Sequence, residues 1–281
     1  MRRGKASETA AMVCMGRALA HARGGVDRFS DPTALTLLPE DRREQAFRAI
    51  AGTPPSTARE RIGRRILSRL ASMMTARTIE IDDAVRRSAH PQVVILGAGL
   101  DGRAWRMPEL RDSVVFEVDH PDTQRDKRAR SEGLERKARE VRFVPTDFAK
   151  GSLDEALAAA GHDASVPTTW IWEGVVMYLT RPEIEASLAV IEQRSARGSR
   201  LVVAYHTPAP YRFLVALWVR RVGEPLRSRF KLGEMQELLQ RYGFVVERDL
   251  GLDEIGSAIS TDIGRATMRM RHLRFATARR A

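Results

Sequence analysis

The residues best placed to do chemistry lie where apolar runs meet glycine and acid. The run Gln92–Leu96 is followed at once by Gly97 and Gly99. A second apolar run, 113–118, ends in acid at Glu117 and Asp119. A third acid, Asp147, follows FVPT, a fourth, Glu173, follows TTWIW, and His206 follows LVVAY. Strand, tight turn, helix and second strand is the layout this predicts. Glycines let the backbone approach a ligand closely, and a helix start offers free N–H groups. An acid at the end of the second strand can hold the two hydroxyls of a ribose. The pattern therefore predicts a ribose-bearing cofactor.

Two cofactors use this layout. Gly97, Gly99 and Gly102 match G-x-G-x-x-G, and Glu117 stands 20 residues after Gly97, which taken alone is the dinucleotide fingerprint of an NAD(P)-dependent oxidoreductase. Against it, the turn follows about 90 residues of mostly helical sequence, and no second glycine turn follows the strand at 168–172. S-adenosyl-L-methionine has no pyrophosphate. With it the turn would face the methionyl part, Asp119 the ribose, and Asp147 the adenine amine.

The elements that must position these residues alternate. Strands are expected at 92–96, 113–118, 141–145, 168–172, 200–205, 243–247 and 268–277, and helices at 101–107, 121–139, 152–160, 181–196 and 231–242. Upstream, helices are expected at 7–22 with Ser7 as N-cap, at 32–38, at 56–74 and at 78–87. Alternation of this kind predicts an α/β fold: a mostly parallel, seven-stranded, Rossmann-like sheet with helices on both faces and an N-terminal helical extension. The expected division is a helical cap over 1–90 and a cofactor-binding domain over 91–281. The proline-broken, apolar segment 207–230 is read as an insertion or lid.

Composition narrows the class. The chain has 281 residues, 43% hydrophobic and 30% charged, enough for a full core. The net charge is +11, but acids interleave with the arginines, as in ERKARE and LPEDRRE, so solvated helix faces are expected rather than a nucleic-acid surface. Only five of the 47 basic residues are Lys. Cys14 is alone and the six histidines have no metal-ligand spacing, so neither a disulfide framework nor a metal is expected. The N-terminus imitates a signal peptide, but Glu8 and Arg17 interrupt a short apolar run. No run approaches the roughly 18 apolar residues of a membrane span. A cytoplasmic protein, monomer or homodimer, with a small-molecule substrate and no membrane partner is the expectation.

LGAGLDGRAWR, FEVDHP, VPTDF and WEGVVMYL, in this order and spacing, resemble the leucine carboxyl methyltransferase family in its bacterial S-adenosyl-L-methionine-dependent branch. SETAAMVCMGRALA, FSDPTA, ARTIEIDDAV and GEPLRSRFKLGEMQELLQRYGF extend the resemblance over most of the chain. It implies a class I methyltransferase fold and cofactor contacts at Arg77, Gly97, Gly99, Asp119, Asp147, Phe148 and Glu173. Arg77 would pair with the methionyl carboxylate and Glu173 with its ammonium. It also suggests Arg17, Tyr178 and His206 on the substrate side, with Tyr178 and His206 as the catalytic candidates. An O-methyltransferase acting on a small-molecule carboxylate, which needs no base, or on a hydroxyl is the implied activity. The family usually has Thr where this chain has Gly102, so a hydroxyl near the cofactor is missing. A non-catalytic cofactor-binding scaffold stays open on that ground.

Overall fold

The computed structural model describes residues 8–52, 54, 56–146, 152–208 and 226–281. The N-terminal part is helical: α1 (Glu8–Arg23), α2 (Ala34–Leu37), α3 (Glu40–Ile50) and α4 (Ala58–Ser88). The sheet region follows as β1 (Gln92–Leu96), α5 (Arg103–Arg106), β2 (Val114–Asp119), α6 (Pro121–Ser131), β3 (Glu140–Pro145), α7 (Leu153–Ala159), β4 (Thr168–Trp172), α8 (Arg181–Gln193) and β5 (Arg200–His206). It closes with α9 (Glu234–Arg241), β6 (Phe244–Gly251), α10 (Leu252–Ile259), α11 (Thr261–Thr267) and β7 (Leu273–Arg280).

The seven strands form one sheet in the order β3-β2-β1-β4-β5-β7-β6. The first five are parallel, and β7 runs antiparallel between β5 and β6. Strand order reverses between β1 and β4, and in open α/β sheets the crevice at such a point, at the carboxyl edge, binds ligands. The glycine turn after β1 and Glu173 after β4 flank that crevice.

Period-two alternation divides the strand residues between two cores. Val94, Leu96, Phe116, Val118, Trp170, Trp172, Val203 and Tyr205 face α7, α8 and α9. Val93, Ile95, Val115, Ile171 and Val202 face α4, α5, α10 and α11. Burying each such side chain contributes about 1.5–3 kcal/mol, so the two layers anchor the strand ends that carry the site.

Several expected boundaries shift. The two helices expected at 56–74 and 78–87 are one, α4, opened by a Thr57–Glu60 capping box and closed at Ala89 in the left-handed region. Nothing between them breaks a helix: the Thr75 hydroxyl turns back onto the Ala71 carbonyl. The expected domain boundary near 90 thus falls at the end of a helix whose second half (Ala76, Ile81, Ala84, Val85) packs on the sheet. Helix α6 stops at Ser131 rather than 139, because Gly133 turns the chain at φ +84°. Strand β6 runs on to Gly251 and β7 to Arg280, because each completes the other's ladder. Helices α3, α10 and α11 were not expected at all. Ser7 and residues 209–225, most of the expected lid, lie outside the described residues.

Candidate functional site

The parallel strands bring the expected residues to one edge. Gly97 and Gly99 follow β1, Asp119 ends β2, Glu173 follows β4, and His206 ends β5. Tyr178 closes the 3-10 turn Val176–Tyr178 just beyond Glu173. Asp147 and Phe148 would follow β3 but lie outside the described residues.

The turn is closed by its neighbour strand. Gly97 and Ala98 donate their amides to the Val118 carbonyl, and Gly99 donates to Asp119 Oδ2. His120 donates its amide to the other oxygen, Oδ1, at 2.6 Å. Gly97 has φ +71°, and a Cβ there would lie 2.1 Å from Val175 Cγ2, so no side chain fits. Burial raises the pKa of Asp119, and the Gly99 and His120 amides partly offset that. It remains partly exposed at the edge. Glu117, two residues earlier on the same face, is sealed inside, where Lys127 Nζ donates to it at 2.6 Å. Burial pushes the Glu117 carboxyl up to about 7, with Lys127 pulling the other way. Of the two acids, only Asp119 reaches the crevice.

Across the crevice, Arg77 from α4 pairs through Nε with Glu173 Oε1. Arg103 Nη1 approaches the other oxygen of Glu173 at 3.4 Å. Behind them lies a buried ionic network. Arg103 pairs with Asp82 at 2.8 Å and with Asp101, and Arg106 pairs with Asp82 at 2.6 Å. Burial alone would raise both aspartates, but Arg106 and Arg103 outweigh it at Asp82, and Arg103, Lys127 and Arg17 outweigh it at Asp101, holding both below the usual range. The sequence reading missed Asp31, Asp82, Asp101, Arg103 and Arg106 as parts of the site's frame. The only signal was that Asp101 and Arg103 sit inside the glycine motif.

Arg17 is also part of this frame. Its Nε donates to Asp31 at 2.7 Å and its Nη2 to the Leu100 carbonyl at 2.6 Å, which ties α1 to the glycine turn. The expectation that the remaining arginines line solvated faces fails at Arg103 and Arg106, whose side chains are at most 4% exposed. Five arginines of the segment 207–230 are candidates to hold an anionic acceptor: Arg227 and Arg229 are exposed, and Arg212, Arg220 and Arg221 lie outside the described residues. The His206 ring leans on His272, with centroids 5.9 Å apart, and its carbonyl accepts from the Phe230 amide at 3.0 Å.

Among the described residues, no helix is long and apolar enough to cross a membrane. A solved DUF574 family protein from Streptomyces avermitilis has a similar fold, with TM-score 0.58 and 14% identity over 99% of both chains. A protein of Streptomyces coelicolor, provisionally named an S-adenosyl-L-methionine-dependent methyltransferase, is 37% identical over 62% of this chain and 60% of its own length. A relative of the same provisional name from Mycobacterium sp. strain JLS is 34% identical over 72% of this chain and 66% of its own. The matched stretch thus spans 60–66% of the length of these relatives. The leucine carboxyl methyltransferase profile matches residues 10–192, which takes in α1, the network, the glycine turn, Asp119 and Glu173, and the chain belongs to that family.

Proposed function

We propose that this protein is an S-adenosyl-L-methionine-dependent methyltransferase that acts on an oxygen of a small molecule, a carboxylate ahead of a hydroxyl. The observation that carries the reading is the Arg77–Glu173 pair beside a turn whose Gly97, Ala98 and Gly99 amides are already in use. A guanidinium and a carboxylate facing one crevice complement the carboxylate and ammonium of an amino acid. A dinucleotide would instead need free N–H groups for its pyrophosphate. Here Gly97, Ala98 and Gly99 donate to β2, Asp101 donates to the Ala98 carbonyl, and Arg103 donates to Asp101. Helix α5, which should present the phosphate site, has four residues and carries Asp101 at its start. The described groups therefore fit a cofactor without phosphate.

When bound, the cofactor supplies a methyl group on a sulfonium, open to in-line attack. The chain's part is then to hold and orient, and positioning alone can supply much of the rate. Arg77 holds the methionyl carboxylate, Glu173 the ammonium, and Asp119 the ribose hydroxyls. By resemblance, Asp147 would serve the adenine amine, with Phe148 a further cofactor contact. Tyr178, beyond β4, and His206, at the end of β5, face the acceptor. Arg17, buried and bonded through Nε to Asp31 and through Nη2 to the Leu100 carbonyl, serves the turn rather than a substrate anion. A soluble cytoplasmic enzyme of secondary metabolism is the setting that best suits this reading.

Calorimetric titration tests the cofactor. S-adenosylhomocysteine is expected to bind and NAD not to; NAD binding without S-adenosylhomocysteine binding would overturn the reading. A second measurement tests the acceptor. An ionised carboxylate needs no base, so His206→Ala is expected to leave turnover of aryl and alkyl acids within a few-fold. Were a phenol the acceptor and His206 its base, turnover would fall by about 10²–10⁴. Phenol-only activity with that loss would refute the carboxylate preference, and methylation of nitrogen alone would refute the oxygen claim.

A further inference from the structure

Position 102 lacks a side chain for a reason outside its own backbone. Gly102 has φ −104° and ψ 3°, a conformation open to any L-residue. What forbids a side chain is contact. A Cβ on Gly102 would lie 2.1 Å from Thr33 Oγ1, 3.3 Å from Asp31 Oδ1 and 3.4 Å from Thr33 Cβ. Thr33 precedes α2, nearly 70 residues upstream, and both it and Asp31 are buried.

The contact belongs to a closed circuit. The Thr33 hydroxyl donates to Asp31 Oδ1 at 2.7 Å. Asp31 Oδ2 accepts from Arg17 Nε at 2.7 Å, and Arg17 Nη2 donates to the Leu100 carbonyl at 2.6 Å. Leu100 lies within the glycine turn, two residues before Gly102. Arg106, one turn after Gly102, donates to the Ser30 carbonyl at 3.2 Å. The segment 30–33 is therefore bolted to the turn on two sides, with the Thr33 side chain seated in the gap at Gly102.

We propose that Thr33 is a positioning residue for the cofactor turn, its hydroxyl standing in from the N-terminal segment for the side chain that position 102 lacks. The two positions are then coupled: a side chain fits at one only when the other gives way. The affinity half of this inference rests on the cofactor reading above; the coupling itself does not.

The test is a set of five proteins: wild type, Gly102→Thr, Thr33→Ala, Thr33→Ala with Gly102→Thr, and Thr33→Val with Gly102→Thr. Each is measured for its thermal midpoint without ligand and for its dissociation constant toward S-adenosylhomocysteine. Gly102→Thr alone is expected to lower the midpoint by roughly 4 °C or more and to weaken binding about tenfold. Adding Thr33→Ala empties the gap and places the new hydroxyl beside Asp31. The midpoint is then expected within about 2 °C of Thr33→Ala, and the affinity within about threefold of wild type. Thr33→Val keeps the bulk in the gap, so that double variant is expected to stay as poor as Gly102→Thr. A neutral Gly102→Thr, or one that Thr33→Ala leaves unrelieved, would overturn the proposal. If Gly102→Thr does not fold alone, recovery of folded protein in the Thr33→Ala background supports the coupling, and failure of both against a folded Thr33→Ala single variant overturns it. A wild type that binds no S-adenosylhomocysteine would count against the cofactor reading, and the thermal arm would still decide the coupling.

Discussion

Replacing Arg103 with Met is expected to cost about 3–5 kcal/mol of unfolding free energy, because it leaves buried carboxylates without their main partner. Arg103 is 4% exposed and contacts Asp82, Asp101 and Glu173. Among the described residues Asp101 has no other ion-pair partner, and Asp82 keeps only Arg106. Urea denaturation at pH 7 is the measurement, and a loss under about 1 kcal/mol, the scale of an exposed pair, would refute a structural role. The pH dependence gives a second check. Asp82 and Asp101 have folded pKa values held below the unfolded range, so their contribution is present above about pH 4 and is lost as pH falls through the folded values. The deficit of the variant relative to wild type should therefore shrink in acid, where the orphaned carboxylates take up protons.

Asp119→Ala is expected to weaken S-adenosylhomocysteine binding at least tenfold, since each charge-assisted hydrogen bond to a ribose hydroxyl contributes roughly 1.5–3 kcal/mol. The variant also frees the Gly99 and His120 amides, so a modest loss of stability of about 1 kcal/mol should accompany it. Asp119→Asn separates the two effects: an amide oxygen can still accept from one of those amides while the charge toward the ribose is gone. Calorimetry on both variants is the measurement. An unchanged dissociation constant in Asp119→Ala would move the ribose contact elsewhere. Glu117 is a poor substitute, because it is fully buried against Lys127.

Residues close in sequence determined the local design. The run Gln92–Leu96, the turn at Gly97 and Gly99, and the acid at Asp119 are neighbours along the chain, and their strand–turn–strand form follows from burial period and glycine's backbone freedom. The repeated alternation likewise implied a parallel sheet, and a parallel sheet places every strand's carboxyl end at one edge. That is why Glu173 and His206 could be assigned to the crevice before any contact was known. What the chain alone left open were the choices that depend on distant partners. Glu117 and Asp119 look equivalent in sequence, sharing one strand face; only the end of the sheet and the position of Lys127 make one a buried ion-pair partner and the other an edge acid. Arg77 is one of many arginines until the fold sets it against Glu173, 96 positions away. Arg103 and Arg106 read as surface charges for the same reason, since an interleaved acid nearby in sequence is as good a guess as a buried one far off. Gly102 looked like a third cofactor glycine, and only the seating of Thr33 against it revealed a packing cause. Tertiary structure decided these points because the free energy of a buried charge depends on which partner arrives, and that partner is chosen by the packing of α4 on the sheet and of α1 and α2 within the helical layer, not by the local chain.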